Sequence, residues 1–346
     1  MLLWLSGVLC FALALELLFW VLPVSTATET GYYTDPMILT YPPHHRWTVS
    51  TGWDLRNAQR IEANKQGYVA NRDFERNPRA VALIGDSFIE ASMLAANDRP
   101  GAQLERALGS RPVYAMGVPG TALLDYAERI RFAHEQFGVR DFVVLMERGD
   151  VKQSLCGSGN INGPCLDPKT LKPGIETQPP AGTAKRIFRH SALAQYLFSQ
   201  LLFSPQKLWQ QALASSHPVA SDRKDSPTSG LQGDANSATK SVMPAVDAVA
   251  SEFFARVKPY VSGQLVIVID SDRKALNSGK IAPDPARDRF IELARSTGVE
   301  VVDTEPLFRV QLAQTPLKLD VGPYDGHLNV LGVRIAMQSA AAILIR

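Results

Sequence analysis

The chain has 346 residues, 45% hydrophobic and 20% charged, enough apolar material for one large domain with insertions or two modest ones. Its 36 basic and 34 acidic residues nearly cancel, leaving a formal net charge of +2. With no bulk positive charge and no basic stripe interleaved with aromatics, no nucleic acid is expected as a partner.

The first 23 residues stand apart. The stretch LLWLSGVLCFALALELLFWVLP, residues 2–23, carries one charged side chain, Glu16. As a helix rising about 1.5 Å per residue it reaches about 33 Å, against about 30 Å for a bilayer core. Trp4 and Trp20 lie near its two ends, where amphipathic rings favour the interface. The core helix of a soluble domain would carry a polar face, which this stretch lacks. Glu16 costs about 2.5–3.5 kcal/mol near mid-membrane unless it is protonated or paired. No Lys or Arg precedes Arg46, so orientation is poorly specified. Ser25-Thr26-Ala27 offers a weak cleavage site, and secretion after cleavage is the alternative. The apolar run exceeds a signal core of about 7–15 residues, so an uncleaved anchor is favoured. Cys10 reads as an inert thiol facing the membrane.

Residues 24–78 hold Pro42-Pro43 and many turn-formers, and read as an irregular leader. A strand–helix rhythm then sets in. Residues 80–84 are a continuous apolar run, the mark of a strand buried on both faces. Residues 100–108 read as a helix closed by Gly109, and 112–116 as a second strand ending in GVPG. Residues 123–137 show helical spacing up to Gly138, and DFVVLME, 141–147, is a third strand.

From about 151 to 240 the rhythm breaks, and the stretch reads as an insertion. It contains Cys156 and Cys165, separated by eight residues of which four are Gly or Pro. A disulfide closing so short a loop contributes roughly 2–3 kcal/mol on the chain-entropy picture. A metal pair would need further Cys or His nearby, and no metal or other cofactor is expected. Two free buried thiols are the alternative. A disulfide implies an oxidising compartment and places the body outside the cytosol. Further on, HSALAQYLFSQLLF, 190–203, reads as a helix whose apolar face packs on the body or on the membrane surface. Residues 213–240 read as a polar excursion. The rhythm resumes with a helix at 245–257, a strand at 264–269, a helix at 286–297 and a strand at 299–302. A last helix, N-capped by Asn329, runs through Ile345.

Strands alternating with helices over residues 79–346 imply an α/β three-layer sandwich with a mainly parallel central sheet. Ligands of such sheets bind beyond the carboxyl ends of the strands. Ser87, Gly117 and Asp150 each follow such an end and are expected to face one crevice. A serine there becomes a nucleophile only beside a base, usually a histidine oriented by a carboxylate. Of six histidines, His44 and His45 sit in the leader, His134 mid-helix, His190 at the insert helix and His217 in the polar excursion. His327 differs: YDGHLNVLG sets it just before the last helix with Asp325 two residues away. Alone, Gly-Asp-Ser or Asp-Gly-His is usually simple turn chemistry.

Together they resemble the SGNH (GDSL-type) hydrolase family, whose fold is flavodoxin-like. The first block of that family is matched by Gly85-Asp86-Ser87-Phe88, the second by the glycines of GVPG, Gly117 to Gly120, and the last by Asp325 and His327. The DGHLN wording looks especially like membrane-associated members linked to envelope and exopolysaccharide acetylation. The resemblance implies Ser87 as nucleophile, His327 as general base and Asp325 as its orienting carboxylate. It also implies an oxyanion hole from the backbone N–H groups of Ser87 and Gly117.

Three departures accompany it. The third block, Gly-x-Asn-Asp in the family, is here Glu147-Arg148-Gly149-Asp150, without the asparagine that donates to the oxyanion. Losing one such donor costs about 2.7–4 kcal/mol of transition-state stabilisation unless it is replaced. Arg148 is the leading replacement, with Asn160 and Asn162 as others. Ala115 stands where an asparagine often precedes the block-two glycine, and the acid precedes the histidine by two residues where three is usual. Arg148-Gly149-Asp150 also spells an adhesion tripeptide, read here as structural.

The expected function is a serine-dependent acyl-ester hydrolase or O-acetyltransferase outside the cytosol, periplasmic and held by the N-terminal helix. Its expected partners are an acylated small molecule or glycan, the membrane, and a second membrane protein. The alternative is a degenerate glycan-binding or scaffold protein of a polysaccharide machine.

Overall fold

The computed structural model describes residues 2–26, 28–158, 163–177, 182–183, 188–201, 235–323 and 325–346. Its contacts divide it into two compact units. The smaller is drawn from the described residues of 1–27, 48–58 and 181–241, the larger from those of 28–47, 59–180 and 242–346. In the smaller unit, helix α1 (Leu2–Val21) is apolar apart from Ser6 and Glu16 and, by length and composition, long enough to cross a membrane. The segment read as a helix from 190 is helical over Ala192–Ala194 and widens into a π-type turn over Gln195–Gln200. Its continuation beyond Leu201, with most of the polar excursion, lies outside the described residues.

In the larger unit the leader proves to be ordered. β1 (Gly31–Asp35) pairs antiparallel with β2 (Ile38–Thr40), and β3 (Arg46–Thr51) joins β4 (Arg56–Glu62) in a second two-stranded sheet whose tip falls in the smaller unit. These strands were not legible because their burial does not alternate cleanly. Their turn also uses Leu55 (φ 54°) and Asn57 (φ 52°) in left-handed conformations alongside Gly52.

The sheet that matters follows. β5 (Val81–Gly85), β6 (Val113–Gly117) and β7 (Asp141–Met146) come first, and β8 (Pro164–Leu166) with β9 (Pro173–Ile175) makes a small antiparallel pair in the insertion. β10 (Leu265–Ile269) and β11 (Glu300–Asp303) complete the main sheet, whose order is β11-β10-β7-β5-β6 with every neighbour parallel. This is the doubly wound, flavodoxin-like order, in which the chain steps from β5 to one side and then to the other.

Side chains alternate across each strand, so one run of apolar residues feeds two cores. On one face, Ala82, Ile84, Phe142, Val144, Ile267 and Ile269 pack with residues of α4 (Leu123–Phe137), of the helix Ala235–Val257 and of the helix Pro285–Ser296. On the other, Val81, Leu83, Val143, Leu145, Val266 and Val268 meet α3 (Pro100–Ala107), the helix Thr304–Gln314 and the final helix Val330–Leu344. The apolar runs were continuous because both faces of the sheet are covered. Helix ends follow their signals. Gly138 takes φ 69° after α4, and the Asn329 side chain accepts from the N–H groups of Leu331 and Gly332 at 3.0 Å each. Cys156 and Cys165 form a disulfide, Cα–Cα 5.1 Å, beside the β8–β9 pair.

Between β5 and α3 the chain makes the four-residue helix α2 (Ser87–Glu90). It fits only because Gly117 lacks a side chain: a Cβ there would lie 2.3 Å from the Glu90 backbone nitrogen and 2.8 Å from the Asp86 carbonyl oxygen. Both atoms are backbone and cannot swing away. Gly117→Ala should therefore cost about 1–3 kcal/mol by overpacking. A denaturant midpoint unchanged from wild type would show that the contact is softer than its geometry.

Candidate active site

The carboxyl ends of β5 and β6 stop in register, Gly85 opposite Gly117. Immediately after β5, Asp86 turns the chain, its side chain accepting from the Phe88 N–H at 2.8 Å as the N-cap of α2. That cap sets Ser87 at the first position of α2, half-buried. The Gly-Asp-Ser pattern thus has a local cause: glycine for the close approach of α2 and Leu145, aspartate for the cap, and a half-buried serine at the first position of α2.

From the other end of the sequence comes a hairpin that sequence reading treated as a turn. β12 (Asp320–Gly322) pairs antiparallel with β13 (Asp325–Leu328), matching Asp320 to Leu328 and Gly322 to Asp325. Leu328 is buried, and Asn329 ties the hairpin base to Lys318 O at 2.7 Å and to Asp320 O at 3.2 Å. The hairpin brings His327 Nε2 to 2.8 Å from Ser87 Oγ. The Asp325 Oδ1 atom lies 2.5 Å from His327 Nδ1 and accepts from the His327 backbone N–H at 2.9 Å. Asp325 accepts only, so Nδ1 carries its proton and Nε2 is left to accept from the serine. The two-residue spacing works because one carboxylate oxygen serves both the ring and the backbone of His327.

Two further residues hold this arrangement, and sequence reading did not single them out. Arg273, buried at the start of the helix Arg273–Ser278, donates to the Gly326 carbonyl between Asp325 and His327. It also pairs with Asp270 and, through Nε at 2.6 Å, with Asp320. Its guanidinium lies 5.4 Å from the Phe88 ring centre, and Phe88 in turn lies 4.8 Å from the His327 ring, tilted by 49°. One cation therefore grips both strands of the hairpin and backs the ring beside the imidazole. The only signal was a charge-rich turn, Asp270-Ser271-Asp272-Arg273, after a strand end.

The surroundings are acidic. Burial pushes the Asp86 carboxyl up to about 6, against the Phe88 N–H and the His327 charge, which favour its ionised form. Burial likewise pushes Glu90 up to about 7, although the Tyr41 hydroxyl donates to it at 3.0 Å. Asp150, fully buried, is raised well above the usual carboxylate range by burial and by Asp86 and Glu147. It accepts from the Glu147 N–H at 2.8 Å and from the Tyr126 hydroxyl at 3.1 Å. For His327, burial lowers the value. The Asp325 hydrogen bond and charge, with the charges of Asp86 and Glu90, outweigh it and leave the imidazole above 6.5. Asp325 itself is held below its usual range: burial raises it, and the His327 contacts prevail.

Ser87, Asp325 and His327 are thus brought together, with Gly117 beside α2. Arg148 has other partners than the oxyanion role expected of it. Its Nη1 lies 2.6 Å from Asp272, and its Nε and Nη2 lie 3.0 and 2.8 Å from Asp284. Asn160, Asn162 and His217 lie outside the described residues. His134 faces the Val139 carbonyl at 3.1 Å, and His44 takes φ 59° after Pro42-Pro43; neither is near the triad by any hydrogen bond described.

No family model matches the chain, and no curated protein matches it. Among solved structures it is similar to three proteins at low identity. A member of the lipolytic protein G-D-S-L family from Veillonella parvula DSM 2008 is 11% identical with a TM-score of 0.37, over 77% of this chain and 98% of that one. The lipase/acylhydrolase from Enterococcus faecalis is 9% identical with a TM-score of 0.37, over 77% and 97%. LAE5, an alpha/beta hydrolase enzyme from the metagenome of Lake Arreo, Spain, is 15% identical with a TM-score of 0.37, over 78% and 98%.

Two measurements test the geometry without assuming a reaction. His327 should titrate above 6.5 by imidazole NMR, and Asp325→Asn should move it down, because the largest raising influence is removed. The matching stability contribution is present below about 6.5 and fades as pH rises through the native value. An unmoved titration would mean that the pair is not formed. Arg273→Met should destabilise the fold by about 3–5 kcal/mol, because it strands buried Asp270. Adding Asp270→Asn should recover much of the loss; no recovery would put the cost elsewhere.

Proposed function

We propose that the chain is a serine-dependent acyl-ester enzyme acting through an acyl-Ser87 intermediate. The observation that carries the reading is one continuous relay: a hydroxyl 2.8 Å from an imidazole nitrogen whose other nitrogen is 2.5 Å from a carboxylate. No structural role requires all three groups in that order.

In this reading Ser87 Oγ attacks the ester carbonyl carbon while its proton passes to His327 Nε2. The carbonyl oxygen becomes an oxyanion, met by the backbone N–H groups of Ser87 and Gly117. When the tetrahedral intermediate collapses, the C–O bond to the alcohol breaks and the alcohol takes the proton from Nε2. The acyl group is left on Ser87. Water or a sugar hydroxyl then attacks, again losing its proton to Nε2, and Ser87 is released with its proton restored. Asp325 stays ionised throughout, holding the tautomer and stabilising the imidazolium.

Acetylated carbohydrate is the substrate class we attach to this chemistry. Its support is the DGHLN wording and a site on a chain that begins with an apolar helix. The disulfide supports a location outside the cytosol, and the length of α1 supports anchorage there. A catalytically degenerate glycan binder is the competing reading, and one observation favours it. The third-block donor is missing, and Arg148 is engaged by two aspartates.

A fluorophosphonate probe separates the two. Wild type should be labelled covalently and Ser87→Ala should not. Asp325→Asn should slow turnover of a chromogenic acetyl ester by about 10⁴-fold, as in the known Ser-His-Asp triad. The rate of the native enzyme should rise with pH as His327 loses its proton, with a midpoint above 6.5. Equal labelling of wild type and Ser87→Ala would reject the acyl-enzyme.

A further inference from the structure

An acid inside an apolar helix needs a reason, and Glu16 has one. Its carboxylate accepts from Ser191 Oγ and from the Ala192 N–H at 2.7 Å each, and from the Leu193 N–H at 3.0 Å. It acts as an N-cap delivered from another element, satisfying free N–H groups where the 192–200 helical segment begins. Two more ties follow along the same direction. Phe19 stacks on Tyr196 with ring centres 4.2 Å apart. Gln200 receives the Ser25 N–H at 3.1 Å and donates to Ser50 Oγ at 2.9 Å and to the Gly52 carbonyl at 2.8 Å. Residues 16, 19 and 25 thus match 191, 196 and 200 in order, and the segment runs alongside α1 and climbs out with it.

That register fixes a depth. Glu16 lies five residues before Val21, the end of the apolar helix, so Ser191 sits about 7–8 Å inside that end at 1.5 Å per residue. Interfacial helices bury their apolar face by about 5–10 Å. The side chains left outward suit such a layer. Phe188, Phe198 and Leu201 are exposed, Phe188 and Phe198 are 5.8 Å apart, and Trp20 and Trp53 are exposed as well. Trp53 is held in place by Tyr196, whose hydroxyl donates to its carbonyl at 2.9 Å. Aromatic rings gathered at one end of an apolar helix are the composition of a membrane–water interface.

We propose that residues 188–201 form a second, monotopic contact with the lipid bilayer, locked to α1 by Glu16. The proposal rests on the reading of α1 as a retained membrane anchor and adds a reason for retention. Cleavage after the apolar run would strip the cap from Ala192 and Leu193.

Spin labels on the full chain in phosphatidylcholine–phosphatidylglycerol vesicles test both parts separately. A nitroxide on the native free thiol of Cys10, exposed on α1, reports the anchor. A nitroxide on Phe198→Cys, with Cys10→Ala, reports the segment, the other two cysteines being paired. The Cys10 label should be rich in oxygen collisions and shielded from a water-soluble nickel chelate. The residue-198 label should be shielded severalfold relative to free label in buffer, at interfacial depth. In a Glu16→Leu background, which keeps α1 apolar, the residue-198 label should gain mobility and nickel access while the Cys10 label is unchanged. A buried Cys10 label with a residue-198 label as accessible as free label overturns the proposal and spares the anchor. An accessible Cys10 label overturns both.

Discussion

The larger unit is organised around one side-chain contact that joins its early and late sequence. Ser87 and His327 are 240 residues apart, and their 2.8 Å contact exists only if the end of β5 and the β12–β13 hairpin reach the same edge of the sheet. A parallel sheet makes this achievable, because every strand's carboxyl end lies on one edge. The order β11-β10-β7-β5-β6 puts β5 at the point where the chain reverses its direction of winding, so the space beyond Gly85 is not roofed by its own crossover. The final helix packs on α3, which follows α2 in the chain, and this fixes how far the hairpin ahead of it can move. Arg273 then removes the remaining freedom by gripping Asp320 and the Gly326 carbonyl at once. The fold thus supplies the edge, and one buried cation supplies the register.

Electrostatics around the imidazole follow from the same crowding. Asp86 is needed as the cap of α2 and Glu90 ends that helix, so two carboxyls lie near His327 whatever the chemistry. Burial drives them up to about 6 and about 7, and raises Asp150 well above the usual carboxylate range. A group whose native value is raised favours the fold while it holds its proton. That contribution is complete below the unfolded carboxylate value near 4 and is lost as pH rises through about 6–7. The same charges favour the protonated form of the His327 imidazole. A stronger base is gained at the expense of a larger protonated fraction in mildly acidic solution. The acid-rich setting therefore makes folding stability depend on pH through its carboxyls and raises the imidazole beside them.

How much of this could be read from the chain depends on the range of the interactions involved. Continuous apolar runs such as residues 81–85 reveal buried parallel strands because both faces are covered, and Gly138 and Asn329 mark helix ends by local geometry alone. The Cys156–Cys165 closure was legible for the same reason, being nine positions apart in a loop of small residues. Ser87, Asp325 and His327 were legible through motif resemblance, which spacing alone would not have supplied. The two small sheets of 31–62 were missed, because their strands are short and half-exposed and gain order from packing such as Tyr41 against Glu90. Arg273 was missed because nothing local separates an arginine gripping a hairpin 53 residues away from one facing water. Arg148 was assigned by position in the motif, whereas its charge found two aspartates more than 120 residues further on.

The smaller unit shows the same principle in an apolar setting. An ionisable residue in a stretch otherwise made of leucine, phenylalanine and alanine looks like a defect when α1 is considered alone. In the folded chain it is a specific joint, because only a carboxylate can accept from a hydroxyl and two adjacent backbone N–H groups together. An apolar replacement would leave those donors without their acceptor. The residues that meet there come from three separated stretches of sequence, so the unit cannot be detached by trimming one end. Glu16 is better understood as the residue that makes the N-terminal helix part of the folded protein.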